Sequence, residues 1–131
     1  MPKTGLGVAL RTLRERSGNS LRNITELSGV DHAYIYRLET GEKTNPSLEL
    51  VEKVLGVLST SPRENALVAW LVEHPDADHA LVQHALQDPT VDVEIFSAAA
   101  GVRHRGTARP DPATLIARVK LLFAEDQDED N

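Results

Sequence analysis

The chain of 131 residues contains no cysteine, which excludes disulfide bonds and thiolate metal sites. A chain of this kind suits a reducing compartment, so we expect a cytoplasmic protein. No apolar run approaches the roughly 18 residues that cross a membrane, and the first residues, Met-Pro-Lys-Thr, lack the apolar stretch of a signal peptide. We therefore expect no membrane partner.

Motifs of catalysis and cofactor binding are also absent from the sequence. No segment has a glycine-rich phosphate loop or the nucleophile motif of a hydrolase. His74, His79 and His84 recur every five residues, but on a helix that step turns a side chain by about 140°, so the three rings do not share a face. The sequence predicts no enzyme, no cofactor and no metal site.

Aromatic residues are few, and two of the five lie almost side by side. The stretch DHAYIYRLETG, residues 31–41, contains both tyrosines, Tyr34 and Tyr36, next to Arg37. An apolar core would disperse such rings through the chain. Their proximity indicates a surface that contacts another molecule.

The net charge of -6 argues against a partner rich in phosphate, but the charge is unevenly distributed. Residues 1–60 carry eight basic and seven acidic side chains, a net of +1, and the remainder carries a net of -7. Much of the acidity lies in residues 125–131, which we predict to form a disordered tail. The alternative is an acidic segment that repels DNA from the protein.

Apolar residues recur at helical spacing, and no segment shows the alternation of a strand, so we predict an all-α fold. Serine and aspartate N-caps and glycine stops set the helix limits. The predicted helices cover about residues 5–17, 21–28, 32–40, 48–58, 62–73, 77–87, 91–100 and 112–124. We divide the chain into a first domain at 1–60, a second at 61–124 and the tail at 125–131.

The second and third predicted helices are short and meet at a tight turn, which is the geometry of a helix-turn-helix. Gly29 supplies the backbone freedom of the turn and Val30 packs in its angle. Ile24, Ile35 and Leu38 are expected to close a small core between the two helices.

The stretch LRTLRERSGNSLRNITELSGVDHAYIYRLETGEKTNPSLELVEKVLGVL resembles the DNA-binding domain of the lambda-repressor and Cro family, also called XRE. The resemblance covers about residues 6–58. It rests on Arg14 in the first helix, Ser-Gly-Val at the turn, Tyr-Ile-x-Arg-Leu-Glu-x-Gly in the third helix and Asn-Pro-Ser-Leu at the start of the fourth. It implies a five-helix domain that binds double-stranded DNA, and hence a cytoplasmic, nucleoid-associated regulator.

The resemblance makes the third helix the one that enters the major groove, and helical geometry selects the side chains that face bases. With Ile35 and Leu38 turned inward, Arg37 is the best candidate for two hydrogen bonds to a guanine. The predicted base contacts are His32, Ala33, Tyr36 and Arg37. The predicted phosphate contacts are Ser20, Leu21, Arg22, Tyr34, Thr40, Lys43, Thr44, Asn45 and Ser47. Tyr34 has an alternative role as a plain core tyrosine.

The resemblance also assigns Arg14 and Glu39 to a partly buried ion pair between the first and third helices. A carboxylate at the end of an apolar helical face needs such a partner. The alternative is two solvated surface charges.

The second half of the chain contains more amphipathic helix than DNA reading requires, and homodimerisation explains it. Its layout is faintly similar to the dimerisation domain of DdrO and ImmR repressors, in which a metalloprotease cleaves that domain. We predict a homodimeric repressor of a pseudo-palindromic operator. One alternative is an antitoxin that neutralises a toxin through the C-terminal half, and another is a scaffold that has lost DNA binding. Arg103, Arg105 and Arg109 contact DNA flanks, form a solvated loop or pair with the acidic side chains of the second half.

Overall fold

The computed structural model describes residues 4–102 and 110–129, and for 126–129 it describes the backbone alone. Within these ranges the chain forms eight α-helices and no strand, which confirms the predicted all-α class. No described helix combines the length and apolarity of a membrane span. The helices are α1 (Gly5–Ser17), α2 (Leu21–Ser28), α3 (His32–Thr40), α4 (Leu48–Leu58), α5 (Pro62–Glu73), α6 (His79–Gln87), α7 (Val93–Ala100) and α8 (Pro112–Glu129).

Side-chain caps begin the first five helices, and those of α2 to α5 are the ones predicted. The Ser20 hydroxyl accepts from the Asn23 amide at 3.1 Å, and the Ser47 hydroxyl accepts from the Leu50 amide at 3.3 Å. These bonds satisfy amides that the first turn of a helix leaves unpaired. A reciprocal capping box begins α5, where the Ser61 hydroxyl accepts from the Glu64 amide and the Glu64 carboxylate accepts from the Ser61 amide.

Three later helices differ from the predicted limits. Asp78 and Asp92 are the N-caps of α6 and α7, so these helices begin two residues later than predicted. Helix α8 continues to Glu129, where we had predicted an end at 124 and a disordered tail from 125. No glycine or proline follows Pro112, so nothing in the sequence interrupts that helix.

One apolar core runs through the whole described chain. The predicted boundary at residue 60 lies in the short connection between α4 and α5, yet buried side chains from both sides of it belong to the same core. The largest fully buried residues come from both halves of the chain: Leu6, Leu13, Ile24, Ile35, Leu67, Leu71, Phe96 and Ile116. The buried cores of the two halves are therefore continuous.

Helix α1 lies at the centre of this arrangement and packs against α3, α4, α5 and α6. Its first turn approaches other backbone segments very closely. A Cβ atom on Gly5 would lie 2.6 Å from the carbonyl oxygen of Ala77. One on Gly7 would collide with the carbonyl oxygen of Glu39 and lie 2.9 Å from that of Leu38. Both positions require glycine because the opposing atoms are main chain and cannot rotate away.

A single arginine ties the helices of the second half together. The Arg63 guanidinium donates to the carbonyls of Ala85 and Val91, both at 2.8 Å, and to that of Leu86 at 3.3 Å. The last carbonyls of a helix have no partner within it, and a cation at that end also interacts favourably with the helix dipole. Arg63 thus fixes the end of α6, and the segment that leads to α7, against the start of α5.

Candidate nucleic-acid interface

Helices α2 and α3 form a compact pair held by a small apolar core. Gly29 has a φ of 80°, the left-handed conformation that glycine adopts without strain, and it ends α2. Val30, in the turn, is buried, as are Ile24, Ile35 and Leu38. These positions are the ones that the sequence pattern predicts for a helix-turn-helix. The pair presents the opposite side of α3 to solvent.

The four predicted base-contacting residues lie on this solvent side of α3. His32, Tyr36 and Arg37 are exposed, and Ala33 is half-buried. Arg37 forms no ion pair with any residue that the structure describes, so its five N–H donors face solvent. The preceding residue, Asp31, caps α3 by accepting from the Ala33 amide at 3.3 Å. The Asp31 carboxylate therefore already accepts a hydrogen bond from the backbone at the start of α3.

Tyr34 lies at the edge of the same surface, and its ring packs beneath the ammonium group of Lys43. Its ring is half-buried, and the Lys43 ammonium nitrogen lies 5.0 Å from the ring centroid, within the range of a cation–π interaction. The Lys43 amide donates to the Arg37 carbonyl at 3.0 Å, so the loop after α3 folds back over the end of the helix. The structure thereby brings Tyr34, Arg37 and Lys43 together.

The other predicted phosphate contacts fall into two short segments. The first contains Ser20, Leu21 and Arg22 at the start of α2; Arg22 is exposed and Leu21 is half-buried. The second contains Thr44, Asn45 and Ser47, all exposed, just before α4. Helices α2 and α4 pack against each other.

Thr40 is half-buried and differs from these residues in how its hydroxyl is used. The hydroxyl donates to the Arg37 carbonyl at 3.2 Å and accepts from the Glu42 amide at 3.4 Å. Its one proton is therefore already engaged with the backbone, and a bond to phosphate would have to replace that contact.

A two-pronged ion pair joins α1 to α3 beneath this surface. The Arg14 Nε and Nη2 atoms donate to the two Glu39 carboxylate oxygens at 2.7 and 2.9 Å. The Glu39 side chain is only 4% exposed and that of Arg14 19%, so the pair is largely desolvated. The bond to Glu39 raises the pKa of Arg14 above its ordinary value. The pair fixes the end of α3 and thereby the direction of its exposed side chains.

A second arginine–glutamate pair was not predicted from the sequence. Arg16 donates through both terminal nitrogens to the Glu64 carboxylate, one of the two bonds being 3.0 Å long, and so links α1 to α5. The hydrogen bonds from Arg16 lower the pKa of Glu64 to about 2. The capping box identifies Glu64 as a structural carboxylate, but nothing in the sequence names its second partner.

Two of the remaining expectations concern other parts of the chain. Within residues 4–102 and 110–129, no three metal-ligating side chains come together. Arg103, Arg105 and Arg109 lie outside the described residues.

Comparison with known proteins identifies this arrangement. Residues 6–68 match a family described as a helix-turn-helix domain. The chain is 36% identical over 56 residues to the HTH-type transcriptional regulator SinR of Bacillus subtilis and equally so to that of Bacillus licheniformis, covering 43% of this chain and 50% of each relative. It is 34% identical over 59 residues to the regulator SlrR of Bacillus subtilis, covering 45% of this chain and 39% of that relative.

The chain thus spans about half the length of the curated relatives it matches. The family match passes the predicted boundary at 60 and includes the first half of α5, in agreement with the continuous core. Together with the buried ion pair and the α2–α3 turn, it shows that residues 6–68 are similar to a helix-turn-helix domain, and the relatives matched over this part of the chain are HTH-type transcriptional regulators.

Proposed function

We propose that the protein is a sequence-specific, DNA-binding transcriptional regulator that acts as a homodimeric repressor. The observation that carries this proposal is the solvent side of α3, where His32, Tyr36 and Arg37 are exposed on a helix anchored by the Arg14–Glu39 pair. A helix fixed in this way can enter the major groove without losing its orientation. The names of the relatives, all transcriptional regulators, agree with this role.

Arg37 is the proposed source of base discrimination. Its guanidinium donates to the O6 and N7 atoms of a guanine, a contact worth about 1–3 kcal/mol against the wrong base. His32 and Tyr36 reach neighbouring base edges, and the Ala33 methyl group contacts a thymine methyl.

Lys43 leads the proposed phosphate contacts, with Ser20, Leu21, Arg22, Tyr34, Thr44, Asn45 and Ser47 around it. The starts of α2 and α4 favour anions because the helix dipole is positive there. Thr40 contributes only if its hydroxyl leaves the Arg37 carbonyl. Since residues 1–60 carry a net charge of only +1, one subunit binds phosphate weakly and a second is needed.

A homodimer meets this need because one helix-turn-helix reads one half-site, and two-fold symmetry matches an inverted repeat. We propose that the helices after residue 61 join the subunits and that occupancy of the operator blocks transcription. A second candidate is an antitoxin, in which the same helices neutralise a toxin; the exposed leucines at 121 and 122 on α8 favour some protein partner. Cleavage by a metalloprotease remains a prediction from the sequence resemblance.

Selection of bound DNA from a random pool tests the proposal. Enrichment of an inverted repeat at moderate salt is expected, and the absence of any enriched repeat would contradict the repressor function. Arg37→Ala should relax the preference at one symmetric base position, whereas Lys43→Ala should weaken binding to all sequences and reduce its salt dependence. Arg11→Ala is the matched control, because it removes an exposed arginine paired with Glu15 on α1 and should change neither property.

A further inference from the structure

The outer face of α8 carries the most exposed pair of apolar side chains in the second half of the described chain. Leu121 is 64% and Leu122 59% exposed. Leu115, Ile116 and Val119, on the adjoining side of the helix, are buried in the core. Two adjacent leucines exposed to water favour burial against another molecule, so this face is suited to a partner.

Charged residues on α8 lie on the same face in a regular order. At 100° per residue, Leu121, Glu125, Arg118 and Leu122 share an arc of about 100°, and all four side chains are exposed. Arg118 and Glu125 are exposed, and neither forms an ion pair with another described residue. The leucines therefore have a cation toward the start of the helix and a carboxylate toward its end.

This order is complementary to a second copy of itself in the antiparallel direction. In a symmetric pair centred between Leu121 and Leu122, each leucine meets a leucine of the other chain. Arg118 and Glu125 lie equally far from that centre, about 5 Å along the axis on either side. When the two helices run antiparallel, Arg118 therefore lies opposite the partner's Glu125. The two-fold symmetry produces a second, equivalent contact between Glu125 and the partner's Arg118.

We propose that two copies of the chain associate through antiparallel contact of their α8 helices, with the leucines at 121 and 122 between two symmetric Arg118–Glu125 ion pairs. This inference deepens the proposed homodimer and rests on it. A parallel contact would set like charges opposite each other, so the charge order selects the antiparallel one. A contact of one helix per subunit is smaller than the roughly 800 Å² per partner of a standard interface, so we expect weak association that depends on concentration.

Charge reversal in the full-length protein tests the contact by sedimentation velocity over micromolar concentrations. Arg118→Glu alone and Glu125→Arg alone should each weaken association by about tenfold or more, since each sets like charges together. The double variant, Arg118→Glu with Glu125→Arg, should recover association to within about threefold of the wild-type value. Glu73→Arg, at an exposed position of α5, is the control and should associate like the wild type. Circular dichroism should show equal helix content in all variants.

Several results would overturn the proposal. They are a monomeric wild type, single variants that associate normally, and a double variant that does not recover. Capture of a different protein on this face by a wild-type chain that never self-associates would also overturn it.

Binding to selected DNA separates this inference from the proposed function. The single variants should bind one half-site like the wild type but lose the tighter binding to two half-sites. If no variant binds any DNA while the association pattern holds, the DNA-binding proposal fails and the α8 contact stands. If the wild type binds an inverted repeat as a dimer and charge reversal changes nothing, the α8 contact fails alone.

Discussion

Helix α1 is attached to two regions of the molecule, and each attachment consists of an arginine–glutamate ion pair and a glycine that approaches another backbone segment closely. On one side, toward α3, it uses the Arg14–Glu39 pair and the close approach of Gly7 to the backbone. On the other, toward α5 and α6, it uses the Arg16–Glu64 pair and the close approach of Gly5 to Ala77. A backbone bond from the Leu6 amide to the Pro75 carbonyl, 3.2 Å long, strengthens the second attachment.

The two attachments differ in their exposure to water. Arg14 is 19% exposed, but Arg16 is 48% exposed and its charge stays partly hydrated. A pair that is largely desolvated is costly to break, because the remaining charge is left buried. A pair open to water is screened and contributes less. The attachment of the proposed recognition helix is therefore the more rigid of the two, and the attachment of the second half is the more sensitive to conditions.

Removal of the whole second attachment should have the largest effect. A fragment that ends at residue 60 loses Glu64, Pro75 and Ala77 and exposes the apolar face of α1 that packs on α5 and α6. We expect it to show no cooperative thermal unfolding at neutral pH by circular dichroism. A fragment that ends at residue 102 retains both attachments and should unfold cooperatively. A cooperative transition in the shorter fragment would show that the core is divisible at residue 60.

Substitution of the glycine at the first attachment should have the next largest effect. Gly7→Ala forces a methyl group against the carbonyls of Leu38 and Glu39 and should lower the free energy of unfolding by about 3 kcal/mol. Gly56→Ala is the matched control, because no atom lies within 4 Å of its added methyl group, and it should raise that free energy by up to about 1 kcal/mol. Urea titration measures both. Equal effects of the two substitutions would contradict the close approach of α1 to α3.

Neutralising each carboxylate in turn compares the two ion pairs directly. Glu39→Gln leaves Arg14 largely buried without a counterion and should cost about 3 kcal/mol. Glu64→Gln should cost about 1–2 kcal/mol, since water can solvate Arg16 and glutamine can still accept from the Ser61 amide. Urea unfolding at neutral pH gives both values. A larger loss for Glu64→Gln would reverse the order of rigidity inferred for the two attachments.

Low pH should destabilise the fold by protonating Glu64, the carboxylate of the attachment between α1 and α5. The pKa of Glu64 is lowered from its usual 4.5 to about 2 in the folded protein. A group whose pKa falls on folding stabilises the fold above its unfolded pKa, and that contribution is lost as the pH falls from about 4.5 through about 2. The loss should amount to about 2 kcal/mol after allowance for the solvent around Arg16. Glu64→Gln should flatten the unfolding free energy over this window, and an unchanged slope would contradict the assignment.

Local patterns predicted most of the helices, and the family resemblance implied one of the two ion pairs. Ser20, Ser47 and Ser61 act within three residues of themselves, so their capping roles can be read directly from the sequence. Thr4, which caps α1 by accepting from the Gly7 amide, was not predicted, although it stands directly before the first apolar residues of that helix. The residues of α3 are likewise neighbours in sequence, and helical geometry alone sorts them into buried and exposed sides.

Contacts between distant segments could not be predicted in this way. The partners of Arg16 and Arg63 depend on how α5 and α6 pack, which periodicity does not determine. The placement of Lys43 over Tyr34 depends on the path of the loop after α3. Helix α8 extends past its predicted end at residue 124. The acidic composition after that residue predicts disorder, but glutamate and glutamine are also good helix formers.

The contact between Lys43 and Tyr34 should be visible in the NMR spectrum of the unlabelled protein. With the ammonium group 5.0 Å from the ring centroid, the neighbouring methylene protons of Lys43 lie in the magnetic field of the ring current and should resonate upfield of their usual position. A phosphate that draws Lys43 away from the ring would return these signals to ordinary frequencies. One lysine resonance would then distinguish free from DNA-bound protein without any added label.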